Sequence, residues 1–293
     1  SVPVAGTDYG NDCFFIYSWR AYCGHLPRSW DCNASRISTM PQHSTDTVCG
    51  LVGVLPETLR RWRRAGLITP PGPAGYSDQQ LTRALCVREM TSGGHTLFDI
   101  HAALNWPSVT LPGGWACREE DMLQLLANNP DADVERELQM MNTDYCGDDY
   151  VNRYLRPLNL WLRSDLSEGA AQRQQRFHSA IIGQWERLSL AARRRSTVPL
   201  FLEAVSVTDE TEIWMEAIRL NGQGFRVEVA AAACGVPAVA HRRFEHHLMW
   251  CGDGISASMK AAFHASLEAG DPVMLTGTNT ELQTPVCAMS ASA

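Results

Sequence analysis

The chain has 293 residues, enough for two or three domains, and its 45% hydrophobic content supplies cores to bury. A formal net charge of −7 excludes a wholesale nucleic-acid coat and confines any such contact to a local basic patch. No apolar run reaches the roughly eighteen residues a membrane span needs, and the N-terminus lacks the basic start and apolar core of a secretory signal, so the chain reads as cytoplasmic with no membrane partner.

Residues 1–45 read as an extension. Residues 1–39 have neither helical nor strand period, the chain opens on Ser1, and Met40 is its first methionine, so the segment is expected to be upstream sequence or disordered. The alternative is a small module using Cys13, Cys23 and Cys32. The ten cysteines include no Cys-x-x-Cys pair, so they are expected to act as small buried hydrophobes, with no metal site.

Residues 46–106 contain the most informative stretch, VCGLVGVLPETLRRWRRAGLI over 48–68. Val48, Leu51 and Val52 predict one apolar helix face, Gly53 a tight turn, and Pro56 the first turn of a second helix. In that helix Leu59 and Trp62 share a face, while Arg60, Arg61, Arg63 and Arg64 cover the others. Gly66 ends it, a Pro/Gly loop runs from Thr69 to Tyr76, and Ser77 to Gln80 supply the cap and first turn of a helix through Met90. After the break at Gly93-Gly94 come Leu97, Ile100 and Ala103.

The order PETLRRWRRAGLI, a Pro/Gly wing closing on Gly-Tyr, then SDQQL resembles the winged-helix DNA-binding domain of the MerR superfamily. The resemblance implies a sequence-specific regulator that binds double-stranded promoter DNA as a homodimer on a pseudo-palindrome, and activates through RNA polymerase by distorting the promoter. It places Thr58, Arg60 and Arg61 in the major groove, Arg63 and Arg64 near the phosphates, and Tyr76 in the wing. One departure is that Tyr76 runs directly into Ser77, where family members insert an arginine and a second aromatic. The wing is short, which shifts affinity toward the helix arginines.

Residues 107–114 read as a Pro/Gly linker. Residues 115–196 carry four helical patterns, Trp115 to Leu126, Val134 to Met141, Tyr150 to Leu162 and Phe177 to Arg195, which predict a four-helix bundle. Residues 197–277 alternate strands and helices: PLFLEAVSV, a helix over Asp209–Asn221, GFRVEVAAA, a short helix over Val236–Arg243, a strand over His247–Cys251, a helix over Ile255–Ala269 and a strand over Pro272–Gly277. That alternation predicts a parallel, flavodoxin-like (Rossmann-like) α/β domain, so the fold class is multidomain α plus α/β. Residues 278–293 read as a frayed tail.

A winged helix, a helical bundle and a flavodoxin-like domain in that order resemble the cobalamin-dependent light-sensing repressors and their relatives. Gly114-Trp115, Pro157-Leu158, Trp214 with Glu216, Gly224-Phe225-Arg226 and Trp250-Cys251-Gly252 resemble a branch of the superfamily that activates biofilm genes. Cobalamin domains place Asp-x-His-x-x-Gly after the first strand. Here Asp209, Thr211 and Trp214 occupy the three positions, and threonine cannot replace the cobalt-ligating imidazole. The bundle signature, a tryptophan followed by Glu-His, is reduced to Trp161, with Ala171-Gln172 at the pair; an insertion would bring His178 into register. Cobalamin is therefore not expected as a cofactor, and the alternative is a regulator that senses a cobalamin or another small molecule through these residues.

Two weaker patterns are set aside. Gly252 to Ala257 fits a dinucleotide motif but follows the third strand rather than the first. His241, His246, His247 and Cys251 cluster, but neighbours on a strand point to opposite faces and cannot share one ion. No catalytic constellation is found, and no enzyme is expected.

Overall fold

The computed structural model describes residues 42–106, 110–111, 113–194, 197–231, 244, 246–252, 257–271 and 273–276. The extension over 1–39, the short helix over Val236–Arg243, the tail over 278–293 and most of the Gly252–Ala257 motif lie outside the described residues.

The N-terminal layer comprises β1 (Gln42–His43), α1 (Thr45–Val52), α2 (Pro56–Arg64), β2 (Tyr76–Ser77), α3 (Asp78–Ser92) and α4 (Leu97–Asn105). Helix α1 starts where Ser44 Oγ accepts the Thr47 N–H at 3.1 Å, and stops at Gly53, whose φ of 71° is the left-handed conformation glycine adopts without strain. Pro56 opens α2, where its missing N–H is no loss. Helix α3 opens on a reciprocal cap: Ser77 Oγ accepts from the Gln80 N–H at 3.3 Å, and Gln80 Oε1 accepts from the Ser77 N–H at 2.9 Å. Val48, Val52, Leu59, Trp62, Val87 and Ile100 form the core of this layer. Leu51, expected on the inner face of α1, is 58% exposed, and Cys49 is buried instead. Position 49 adjoins Val48 and lies three before Val52, so an eight-residue helix closes its inner face without Leu51.

The second layer is helical: α5 (Trp115–Asn128), α6 (Asp131–Asp144), the single turn α7 (Gly147–Asp149), a π-helical segment over Tyr150–Leu155, α8 (Arg156–Ser164) and α9 (Ala170–Ala192). Met122, Leu126, Leu138, Tyr154 and Phe177 meet in its core. Of the six π-helical residues, Tyr150, Val151, Tyr154 and Leu155 are buried.

The third layer is a parallel sheet of β3 (Val198–Ser206), β4 (Phe225–Ala230), β5 (His246–Cys251) and β6 (Val273–Thr276), in the order β4-β3-β5-β6, with α10 (Glu210–Gly222) and α11 (Ala257–Glu268) between strands. Leu200, Leu202 and Ala204 pack against Ile213 and Ala217 of α10. Their neighbours on the opposite face include Val205, which clusters with Met249, Cys251 and Phe263. This two-sided burial makes β3 a near-continuous apolar run.

Candidate nucleic-acid interface

Helix α2 turns by about 100° per residue, so its side chains divide into two sets. Leu59 and Trp62 are 1% and 0% exposed and anchor the helix; burial of such side chains stabilises by about 2 to 3 kcal/mol each. Pro56, Arg60 and Arg64, spaced four apart, form an exposed stripe on the other side, and Arg61 flanks it. Guanidinium groups are charged at any physiological pH and offer a planar fork of donors, the chemistry that reads guanine edges and grips phosphates.

The six residues expected to contact DNA separate accordingly. Arg60, Arg61 and Arg64 lie on the outward side of α2. Thr58 is 4% exposed, because it precedes Trp62 by one turn and adjoins Leu59 on the inner side. Tyr76 is 1% exposed; pairing of β2 with β1, Tyr76 opposite His43, places it in the core, and its hydroxyl accepts from Arg63 Nη1 at 3.4 Å. Arg63 is half-buried by that contact. The wing of this short-loop chain is thus tied inward, and its tyrosine braces the helix.

Arg61 has a partner that local sequence could not reveal. Its Nε donates to Asp144 Oδ1 at 2.7 Å, at the end of α6 and 83 positions along the chain. Trp62 Nε1 donates to the Asp144 carbonyl at 2.9 Å. Burial pushes the Asp144 carboxyl above its ordinary range, with the Arg61 guanidinium pulling it back, while the hydrogen bond to Asp144 holds the Arg61 proton more firmly.

The residues singled out for a ligand meet at a second place, between the helical layer and α10. His178 Nδ1 hydrogen-bonds Thr211 Oγ1 at 3.0 Å. Asp209 caps α10, accepting the Thr211 N–H at 3.0 Å, and its other oxygen accepts from Asn159 Nδ2 at 2.5 Å. Trp214 packs on Trp185 with ring centroids 4.7 Å apart. Sequence reading overlooked Arg156, which donates to Glu216 Oε2 at 2.7 Å while its guanidinium carbon lies 5.1 Å from the Trp250 ring centroid.

Of the histidine cluster, His247 is buried against Glu203 at 2.9 Å, whereas His246 packs edge-on to Phe225; His241 lies outside the described residues. Among the described residues, no three His, Cys, Asp or Glu side chains are grouped so as to hold a metal ion, and no helix is long and apolar enough to cross a membrane.

Comparison with known proteins assigns families to the two ends. Residues 44–105 match the family "MerR HTH family regulatory protein", and residues 198–273 match "Transcriptional regulator MlrA, C-terminal domain". The HTH-type transcriptional regulator MlrA of Escherichia coli (strain K12) is 21% identical over 246 residues, which cover 81% of this chain and 100% of that protein. MlrA of Salmonella typhimurium (strain SL1344) is 23% identical over 220 residues, covering 73% of this chain and 90% of that protein. A helix with an anchored apolar side and an arginine-bearing outer side therefore sits inside the MerR-type match. The chain thus carries a segment similar to MerR-type helix-turn-helix domains and another similar to MlrA C-terminal domains, and it is a DNA-binding transcriptional regulator rather than an enzyme.

Proposed function

We propose that this regulator enters the major groove of promoter DNA with the outward side of α2, where Arg60 and Arg61 read base edges and Arg64 holds a phosphate, with the half-buried Arg63 reaching a second from beside it. The single observation that carries the reading is the division of α2 into a buried Leu59/Trp62 side and an exposed arginine side. Resemblance to the superfamily supports a homodimer on a pseudo-palindromic site, and activation in the cytoplasm by distorting promoter DNA for RNA polymerase. Alanine at Arg60 should cost about 1 to 3 kcal/mol of specific affinity if it reads a base, and alanine at Arg64 should lower the salt slope by about one if it holds a phosphate. The probe is a duplex selected from a random pool. Unchanged binding by the double variant would sink this assignment.

The C-terminal two-thirds we read as a four-helix bundle docked on a flavodoxin-like sheet; the parallel order with β3 and β5 at the centre supports that reading. The residues at their junction do not fit cobalamin. Thr211 offers a hydroxyl where cobalt needs an imidazole, the Nδ1 of His178 is engaged by that hydroxyl, and Trp185 with Trp214 fills the space beside them. Asp209, the remaining member of the ligand set, is committed to capping α10. Protein mixed with adenosylcobalamin in the dark should leave gel filtration colourless. Co-elution of a red protein would overturn this, and loss of the colour in His178→Ala would then identify the ligand.

A further inference from the structure

Three observations bear on whether α2 is open to DNA in this structure. First, Arg61 is already held by Asp144, and the neighbouring Trp62 indole donates to the same residue's carbonyl. Second, the N-terminal part of the exposed stripe of α2 borders an open cleft shared with the chain's own C-terminal half, while Arg64 lies outside it. Pro56, Glu57 and Arg60 line a cavity of about 340 Å³ whose opposite wall is built by Ala192, Asn221 and Gly224, at the end of α9 and the turn from α10 to β4. At roughly 30 Å³ per water, that space holds on the order of ten waters. A recognition helix must instead sit within a groove about 12 Å wide and 8.5 Å deep, with phosphate walls on both flanks. The Pro56–Arg60 end of the stripe thus has protein, Ala192, Asn221 and Gly224, across from it in this conformation.

Third, the stretch 144–149 that grips α2 also grips α10. On the DNA-binding side, Cys146 Sγ donates to the Gly53 carbonyl at 3.2 Å, and Asp149 pairs with Arg88 of α3. On the other side, Asp148 Oδ1 accepts from Arg219 Nη1 at 2.8 Å and from Gln223 Nε2 at 3.0 Å. Gly147 lies so close to Gly222 that a Cβ on either would come within 3.0 Å of the other's Cα. Six consecutive residues therefore connect the end of α10 to the guanidinium of Arg61.

We propose that this conformation is autoinhibited: the Asp144–Asp149 stretch holds α2 against the chain's own C-terminal half, and DNA binding requires that grip to open. The inference rests on α2 being the helix that contacts DNA. It makes the end of α10 the control point, since displacement of Arg219 and Gly222 moves the residues that carry Asp144. A two-state element biased from both of its sides is the physical basis of such coupling.

The test uses the full chain and a fluorescent duplex selected from a random pool. Asp144→Ala should bind about tenfold more tightly than the parent, with unchanged helical circular dichroism, because releasing Arg61 shifts the equilibrium toward the open form. Glu120→Ala, which removes an exposed charge on α5, should bind as the parent does. Equal affinity for Asp144→Ala and parent, or an equal gain in Glu120→Ala, would overturn the proposal while leaving α2 as the DNA-contacting helix. If neither parent nor variant holds any duplex, the DNA assignment of α2 fails, and the proposal fails with it. Hydrogen exchange on the parent provides a second readout that does not depend on how the variant folds. Amides of 144–149 should lose protection when DNA binds, and retained protection in a saturated complex would show that the docked form itself binds DNA.

Discussion

The helical layer meets its neighbours along two seams of different construction. Toward the sheet, the seam is made like a core: Trp185 on Trp214, His178 on Thr211, Asn159 on Asp209 and Arg156 on a Glu216 that is 1% exposed. Toward the winged helix polar contacts predominate, with Cys146 buried in that layer's core beside them. Trp115 Nε1 donates to the Ser92 carbonyl at 2.8 Å, the Tyr145 hydroxyl to the His95 carbonyl at 3.1 Å, and Arg61, 45% exposed at its side chain, to Asp144. Burial of aromatic area stabilises by several kcal/mol, whereas a single hydrogen bond contributes about 1 kcal/mol net. One seam is therefore built to stay closed and the other to part, which suits a protein whose DNA-binding end must move and whose C-terminal half must hold its shape.

The largest effect should come from Trp214→Ala. It removes an indole shared by the helical core and the sheet core, and should lower unfolding free energy by about 3 kcal/mol, the low end for a tryptophan because Trp214 keeps part of its surface. Denaturant unfolding measures it, and a loss below about 1 kcal/mol would contradict a core-like seam. Glu216→Gln should cost about 2 kcal/mol, since one neutral amide would replace the carboxylate that serves both Arg156 and Arg219. Tyr145→Phe, on the other seam, keeps the ring against Trp115 and deletes the hydroxyl whose proton is shared between the His95 and Gly94 carbonyls. About 1 kcal/mol or less is expected, visible as faster exchange of the α4 amides with little change in global unfolding.

The smallest effect concerns the turn between α8 and α9, which belongs to neither seam and serves as a reference. Hydrogen bonds from Arg173 and Ser167 lower the Asp165 carboxyl from 3.8 to about 2. A depressed carboxyl contributes stability that is complete above its ordinary value and is lost as pH falls through the folded one. The turn should therefore stay capped down to pH 3.8 and loosen toward pH 2. Carbon NMR of Asp165 reads this directly, and titration near 3.8 would remove the cap from the description.

Local chemistry was legible in the sequence wherever a few adjacent residues decide the outcome. Pro56 at a helix start, Gly53 at a left-handed stop and the reciprocal Ser77–Gln80 cap follow from backbone conformation and donor counting alone. The anchored side of α2 followed from the spacing of Leu59 and Trp62. Burial of Thr58 and Tyr76 did not, because each is decided by what packs across from it: the layer under Trp62 for one, the β1 strand for the other. Asp144 had no local signature, since its role exists only when α6 ends beside α2. The π-helical turn was equally hidden, as the apolar period of Tyr150 to Leu155 fits an α-helix nearly as well. His178 and Thr211 were both noticed, as a retained and a missing ligand, yet their contact across 33 positions required the fold.

The meeting of Gly147 and Gly222 also has a mechanical meaning. Two backbones with no side chain between them form a joint of zero clearance, and whatever occupies position 222 acts as a shim that sets how far α7 stands from α10. Alanine, serine and larger residues there would insert successively thicker shims, and the gap would widen at a point adjoining the Asp148–Arg219 pair. A graded substitution series at one glycine would thereby become a ruler, converting side-chain volume into displacement at the far end of the chain.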